Sequence, residues 1–295
     1  MSGLRAATRG SRLARAQTDL VAGLLGIEVQ PVVIDTQGDR QVDVPIWELG
    51  GRGVFVKEVQ AAVLAGRADF AVHSAKDLPS STPPGLTLAS VPTRADPRDA
   101  LVGRRFDALP PGARIGTGSV RRRAQLAWLR PDLTFGGLRG NMDTRLSKAG
   151  DFAAIVVAAA ALDRLGRSSE VTEILGTYLM VPQVGQGALA IECRADDDAT
   201  LAALAAIEHG PSRRAVDAER AWLNEVGGGC DLPVGAHGTV DDDGHITLTA
   251  MLGTPDGRVV LRRSDEGDEP QELGRRLARH LLDGAGGASL LADLR

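Results

Sequence analysis

The sequence predicts an α/β protein: two similar α/β units with a ligand cleft between them, followed by a smaller α+β unit built on a three-stranded antiparallel sheet. Three observations carry this. A strand, a Gly/Ser turn and a basic helix start follow one another at 4–25 and again at 114–129. Three alternating apolar stretches at 234–240, 245–252 and 258–263 are joined by Asp243-Gly244 and Asp256-Gly257, dipeptides that suit tight hairpins. Finally, 295 residues exceed what one ordinary core fills, so two or three domains are expected.

Composition narrows the function. Hydrophobic residues make up 43% of the chain, yet no stretch approaches the ~20 apolar residues of a membrane span or forms a signal peptide. A soluble, cytoplasmic protein without membrane contact is expected. Two cysteines, Cys193 and Cys230, are too few for a disulfide framework or a zinc site, and the five histidines lack ligand spacing, so no metal is predicted. The net charge is −4, and of 34 basic residues only Lys57, Lys76 and Lys148 are lysine. With 3% aromatic residues and an acidic balance, nucleic-acid binding is disfavoured. Arginines set beside glycine, serine and threonine suit a small polyanion, because guanidinium forks pair bidentately with carboxylates or phosphates.

The elements follow in order. A strand over 4–8 turns through Arg9-Gly10-Ser11 into a helix over 13–25, with Ser11 placed to cap it and Arg9 beside its N-terminus. A strand over 27–34 leads to the loop 36–53, TQGDRQVDVPIWELGGRG, whose four glycines and weak periodicity read as a lid over the site. The lid ends near Arg52 and Phe55, and a helix over 54–66 carries Lys57. The stretch DFAVHSAKDLP places a buried strand at 70–72 and puts His73, Ser74, Lys76 and Asp77 just past its carboxyl end, where open α/β sheets bind ligands. After a strand at 86–91, residues 93–99 read as a crossover into the second unit. There, a strand at 114–117 turns at Gly118-Ser119 into a helix over 120–129 that opens with Arg121, Arg122 and Arg123. A strand at 133–138 passes through Arg139-Gly140-Asn141 into a helix containing Arg145, and Arg164 lies beyond a buried strand at 153–158. YLMVPQVGQG, with Gln186, reads as the return crossover, and 188–193 as a strand rejoining the first unit, which makes Cys193 core. Helices over 201–209 and 212–226 then deliver the chain to VGGGCDLPVG, where three glycines precede Cys230 on an accessible turn.

These stretches together, ATRGSRLA, GGRGVFVKE, DFAVHSAKDLP, GTGSVRRRAQL, LRGNMDTRL, VGQGALAIECR and GGGCDLPVG, resemble the porphobilinogen deaminase (hydroxymethylbilane synthase) family in order and approximate spacing. The resemblance spans nearly the whole chain. It implies two periplasmic-binding-protein-like α/β domains, 1–92 with a return segment 188–208 and 93–187, plus an α+β domain 209–295. It also implies a monomeric transferase that deaminates four porphobilinogen molecules and joins them head to tail into hydroxymethylbilane. The primer would be a dipyrromethane cofactor on Cys230 through a thioether. By resemblance Asp77 is the catalytic carboxylate. Lys76, Thr117, Ser119, Arg121, Arg122, Arg139, Gly140 and Arg145 hold the cofactor's carboxylate arms, while Arg9, Ser11, Arg164 and Gln186 hold substrate. Arg52, Phe55 and Lys57 belong to the lid.

The sequence departs from the family pattern at Gly118, Arg52, Ala75 and Asp231, where serine, lysine, methionine and glutamine are respectively common. Two other classes stay open at this point. A two-lobed anion-binding protein accounts for the arginines but not for Cys230 or Asp77. A pyridoxal-phosphate enzyme with Lys76 as its Schiff base leaves Cys230 idle.

Overall fold

The computed structural model describes residues 3–40, 53, 55–227 and 232–292, side chains 39 and 40 excepted. In chain order the first elements are β1 (Leu4–Arg9), α1 (Arg12–Leu25), β2 (Val29–Ile34), α2 (Gln37–Arg40), α3 (Lys57–Leu64), β3 (Phe70–Ser74), β4 (Leu86–Ser90) and β5 (Asp99–Gly103). Then come β6 (Arg114–Gly116), α4 (Val120–Leu129), β7 (Thr134–Gly136), α5 (Met142–Ser147), β8 (Ala154–Ala158), α6 (Ala159–Arg164) and β9 (Glu173–Leu175). The chain closes with β10 (Leu189–Arg194), α7 (Asp198–Ala205), α8 (Gly210–Val226), β11 (Val234–Val240), β12 (Ile246–Gly253), β13 (Val260–Gly267), α9 (Pro270–Arg279) and α10 (Gly287–Ala292).

Two compact units result, Met1–Ala95 with Ala188–Arg213 and Asp96–Gly187 with Arg214–Arg295. The first holds a five-stranded sheet of order β2-β1-β3-β10-β4, the second a five-stranded sheet β7-β6-β8-β5-β9 and a three-stranded sheet β11-β12-β13. Both five-stranded sheets share one layout. Three parallel strands stand on one side, followed by a strand antiparallel to both its neighbours, β10 in one and β5 in the other. The return strand therefore rejoins the first sheet, as 188–193 predicted. Cys193 lies inside that sheet, and burial pushes its thiol up to about 11.

Local chemistry sets these elements. The Ser11 hydroxyl accepts the Ala14 N–H at 3.2 Å to start α1, and Gly26, in the left-handed region at φ 63°, ends it with its N–H on Ala22 O. β8 reads as an unbroken apolar run, and β3 as one up to His73, because helices cover both faces. In the third sheet the inward residues Ile246, Leu248, Ala250 and Leu252 pack on Trp222 of α8 and on Leu273 and Leu277 of α9. Those helices touch at Gly274, where a Cβ would stand 2.4 Å from Ala218 O.

Strands β5 and β9 were not foreseen, since 93–99 read as a crossover and the next strand opens on a buried aspartate. Among the described residues no helix is long and apolar enough to cross a membrane, and no group of His, Cys, Asp and Glu is arranged to hold a metal.

Candidate active site

In the first unit β1 and β3 run side by side in parallel, with Ala6 opposite Phe70 and Ala7 opposite Ala71, so their carboxyl ends share one sheet edge. Arg9 and Ser11 leave one end, Lys76 and Asp77 the other. The Asp77 turn is a single 3-10 turn, Ala75–Asp77, held by what is buried on either side of it. Ala75 and Leu78 point inward, the Ala75 N–H donates to Ala188 O at 3.0 Å, and Gln17 Nε2 of α1 donates to Ser74 Oγ at 2.7 Å. A small residue at 75 suits that buried position. Lys76 and Asp77 are left half-exposed, and the Asp77 carboxylate accepts no hydrogen bond and forms no ion pair among the described residues.

His73, expected just past the strand end, lies within β3 and is buried beside Glu192, a residue that the sequence did not single out. Glu192 accepts Gln60 Nε2 at 2.8 Å, and His73 Nε2 stands 3.2 Å from the same oxygen in poor hydrogen-bond alignment. On the lid side, the guanidinium of Arg9 lies over the Phe55 ring at 4.0 Å, a cation–π contact. Lys57 is exposed at the start of α3. Arg52 and most of the predicted lid lie outside the described residues, as does Cys230 with Asp231.

In the second unit β6 pairs in parallel with β7 and β8, and again the carboxyl ends meet at one edge. Thr117 Oγ1 accepts the Ser119 N–H at 3.2 Å, and Ser119 Oγ caps α4 by accepting the Arg122 N–H at 3.4 Å. Between them, a Cβ at Gly118 would meet Leu138 O at 2.7 Å, so this turn conformation has no room for a serine. Gly140 takes φ 100°, which a side chain disfavours, and its carbonyl accepts Arg145 Nε at 2.9 Å. Arg139 is half-buried on the same loop.

Three residues expected to face a ligand are turned inward instead. Arg121, Arg122 and Gln186 converge on Asp99, which is fully buried. Arg121 Nη1 donates to Asp99 Oδ2 at 2.8 Å, while Arg122 Nε and Gln186 Nε2 donate to Oδ1 at 3.0 and 2.9 Å. Burial alone raises the Asp99 carboxyl, but the charges of Arg121 and Arg122 outweigh it and hold the group far below the usual carboxylate range. As read from sequence these were direct ligand contacts. In the structure a buried anion inside the chain engages Arg122 and Gln186, and one side of Arg121. Asp99 itself was missed, the one available signal being a charge set directly before the apolar run ALV.

Arg164 differs from these. Its Nη2 donates to Gly187 O at 2.6 Å, its Nε is buried without a partner, and burial lowers it to about 10, offset only in part by Asp163. A half-buried guanidinium whose hydrogen bonds among the described residues stop at one carbonyl keeps donors for a further acceptor.

Each sheet edge taken by itself carries hydroxyls and cations, the first with an unengaged carboxylate as well, which is the donor set of an α/β protein that handles small acidic molecules. Comparison with known proteins makes this specific. The family model for porphobilinogen deaminase, dipyromethane cofactor binding domain, matches residues 4–202, and that for its C-terminal domain matches 214–283. A porphobilinogen deaminase of Acidothermus cellulolyticus is 51% identical over 296 residues, covering 96% of this chain and 89% of its own. Those of Roseiflexus castenholzii and Brevibacillus brevis are 49% identical over 296 residues (97% of each chain) and 44% over 300 (98% and 96%). This chain belongs to the porphobilinogen deaminase family, the dipyrromethane-dependent transferases of tetrapyrrole biosynthesis. A periplasmic binding protein of Salmonella typhimurium aligns over 70% of this chain and 92% of its own at 13% identity with a TM-score of 0.38, which adds nothing to the assignment.

The donor set fits a dipyrromethane. Each pyrrole ring of such a group carries carboxylate arms, and Arg164 Nε is a buried donor with no acceptor among the described residues.

Proposed function

We propose that this chain converts four porphobilinogen molecules into hydroxymethylbilane with release of ammonia, and that Asp77 is the carboxylate on which the chemistry turns. Supporting this is its position: an acceptor with no partner among the described residues, on a rigid turn at a strand end, next to a lysine. Departure of ammonia from the aminomethyl carbon of porphobilinogen takes the C–N bonding electrons and leaves a methylene-pyrrole cation. Asp77 accepts the pyrrole N–H and faces that charge as it develops, so the turn contributes most where the barrier is highest. Lys76, Arg9 and Ser11 at the first sheet edge, and Thr117, Ser119, Arg139, Gly140 and Arg145 at the second, orient acetate and propionate arms. Arg164 takes a further carboxylate. Phe55, with Arg52 and Lys57, covers the site while water is excluded.

Cys230 would carry the dipyrromethane through a thioether, and when bound that group supplies the nucleophilic ring carbon. We assign three domains, 1–92 with 188–208, 93–187 and 209–295, to a monomer acting in the cytoplasm.

The test is intact mass of the purified protein beside its Cys230→Ala variant, each before and after incubation with porphobilinogen. An excess of two porphobilinogen units less two ammonias, present only with Cys230, is expected together with turnover. A mass that still lacks this excess after incubation refutes the reading.

A further inference from the structure

The chemistry just described has no use for Asp99, yet the second unit spends much of its buried polar chemistry on it. Asp99 opens β5 with no exposed surface, opposite Ala158 of β8 and Leu175 of β9. Arg122 is wholly engaged, with Nε and Nη2 on Asp99 Oδ1 and Nη1 donating to Val156 O at 2.8 Å. Arg121 is engaged on one side only. Its Nη1 donates to Asp99 Oδ2 and to Val181 O at 2.7 Å, whereas Nε and Nη2 are buried and have no hydrogen-bond partner among the described residues. Gln125, one turn along α4, grips the same Val181 peptide through both its N–H and its carbonyl, so the frame around Arg121 is fixed.

Charge and geometry agree. Among the described residues two buried guanidiniums face one buried carboxylate, which leaves one positive charge without an anion there, and the donors left over are on Arg121. Nε and Nη2 together form the side edge of a guanidinium, the edge that binds a carboxylate with two parallel hydrogen bonds. Gly235 of β11 backs onto the stem of this side chain, where a Cβ would stand 3.0 Å from Arg121 Cδ, so the absence of a side chain there leaves room for the guanidinium.

Building on the function proposed above, we propose that Asp99 is a positioning residue: by holding Arg122 completely and Arg121 by Nη1 alone, it aims the Nε/Nη2 edge of Arg121 to take a carboxylate arm. Asp99 touches no substrate. It acts through Arg121.

Two variants test this, Asp99→Asn and the double variant Asp99→Asn with Arg122→Gln. The first leaves two buried cations without a counter-ion. The second restores the buried charge of the native cluster, one positive, but not the grip on Arg121. Initial rates against porphobilinogen concentration, well below each variant's Tm, give KM and kcat. Intact mass gives the rate at which cofactor-free protein gains weight when porphobilinogen is added. A role confined to stability lowers Tm and the active fraction, hence apparent kcat, without moving KM. The expected result is KM raised about tenfold in both variants, with slowed mass gain, even where the double variant recovers Tm. A KM within about twofold of wild type in either variant, with mass gain at the wild-type rate, overturns the proposal. Should the single variant fail to fold, the double variant decides. A wild-type protein that gains no mass overturns the functional reading and this proposal with it; variants that load as well as a loading wild type overturn this proposal alone.

Discussion

Asp77→Ala removes a half-buried carboxylate that the described part of the chain does not use. The turn around it is held by buried Ala75 and Leu78 and by the Ala75 N–H on Ala188 O, none of which the substitution touches. Stability is therefore expected to change by no more than about 0.5 kcal/mol, the range of substitutions away from packed or bonded features. The reaction is another matter. A unit charge about 4 Å from a developing cation, at the effective dielectric of a partly buried site, is worth about 4 kcal/mol. By transition-state arithmetic that is about a thousandfold in rate. Asp77→Asn keeps an acceptor for the pyrrole N–H but loses the charge, so its defect should fall only slightly short of the alanine variant's. Initial rates of hydroxymethylbilane formation at saturating porphobilinogen, alongside thermal melts, make the measurement. An alanine variant that turns over within about tenfold of wild type, or one whose melt collapses, refutes the assignment: the first removes the charge from the mechanism and the second makes the residue structural.

Three further outcomes follow from the same geometry. Arg164→Gln deletes a half-buried cation whose Nε has no acceptor among the described residues, so its Tm should hold or rise while turnover falls by about tenfold or more; a lower Tm with normal turnover would show the guanidinium to be a structural group. Glu219, fully buried in α8, accepts the Gly185 N–H at 2.7 Å and the Gly238 N–H at 2.8 Å, and Glu219→Gln sets an amide donor against one of them, at a cost of about 3 kcal/mol in denaturant unfolding. Unchanged unfolding would mean the carboxylate is not needed there. At His245, the hydrogen bond to Asp268 at 2.7 Å raises the imidazole above its ordinary value. Its folded pKa thus exceeds its unfolded one, so its stabilisation is complete below about pH 6.5 and fades as pH rises through the folded value. Wild-type Tm should fall over that interval relative to His245→Gln, and parallel pH profiles would contradict this.

Periodicity exposed most of the fold, and the failures share a cause. Strands with apolar runs such as β3 and β8, and helices with capping serines such as α1 and α4, announce themselves locally because their pattern depends only on which face is buried. β5 does not, since it opens on Asp99, and a charge reads as loop unless its partners are known. Those partners, Arg121 and Arg122, lie more than twenty residues away and carry the complementary ambiguity. Three consecutive arginines on a helix point about 100° apart, so they cannot share one environment. Arg123 is exposed while Arg121 and Arg122 are on the inner face with Gln125. A hydrophobicity pattern assigns all three to solvent, and family resemblance assigns two of them to the ligand. Neither shows that a buried aspartate stands in between. What the sequence displays is a residue's capacity to pair, whereas the direction in which a long cationic side chain spends that capacity depends on an anion delivered by a distant strand. The place of Asp77 on its turn was legible for the opposite reason: a short side chain on a strand-end turn has few directions available, and nothing in the described chain competes for it. Within such a site, short polar residues can be read from position alone, and each arginine has to be read together with its nearest buried carboxylate.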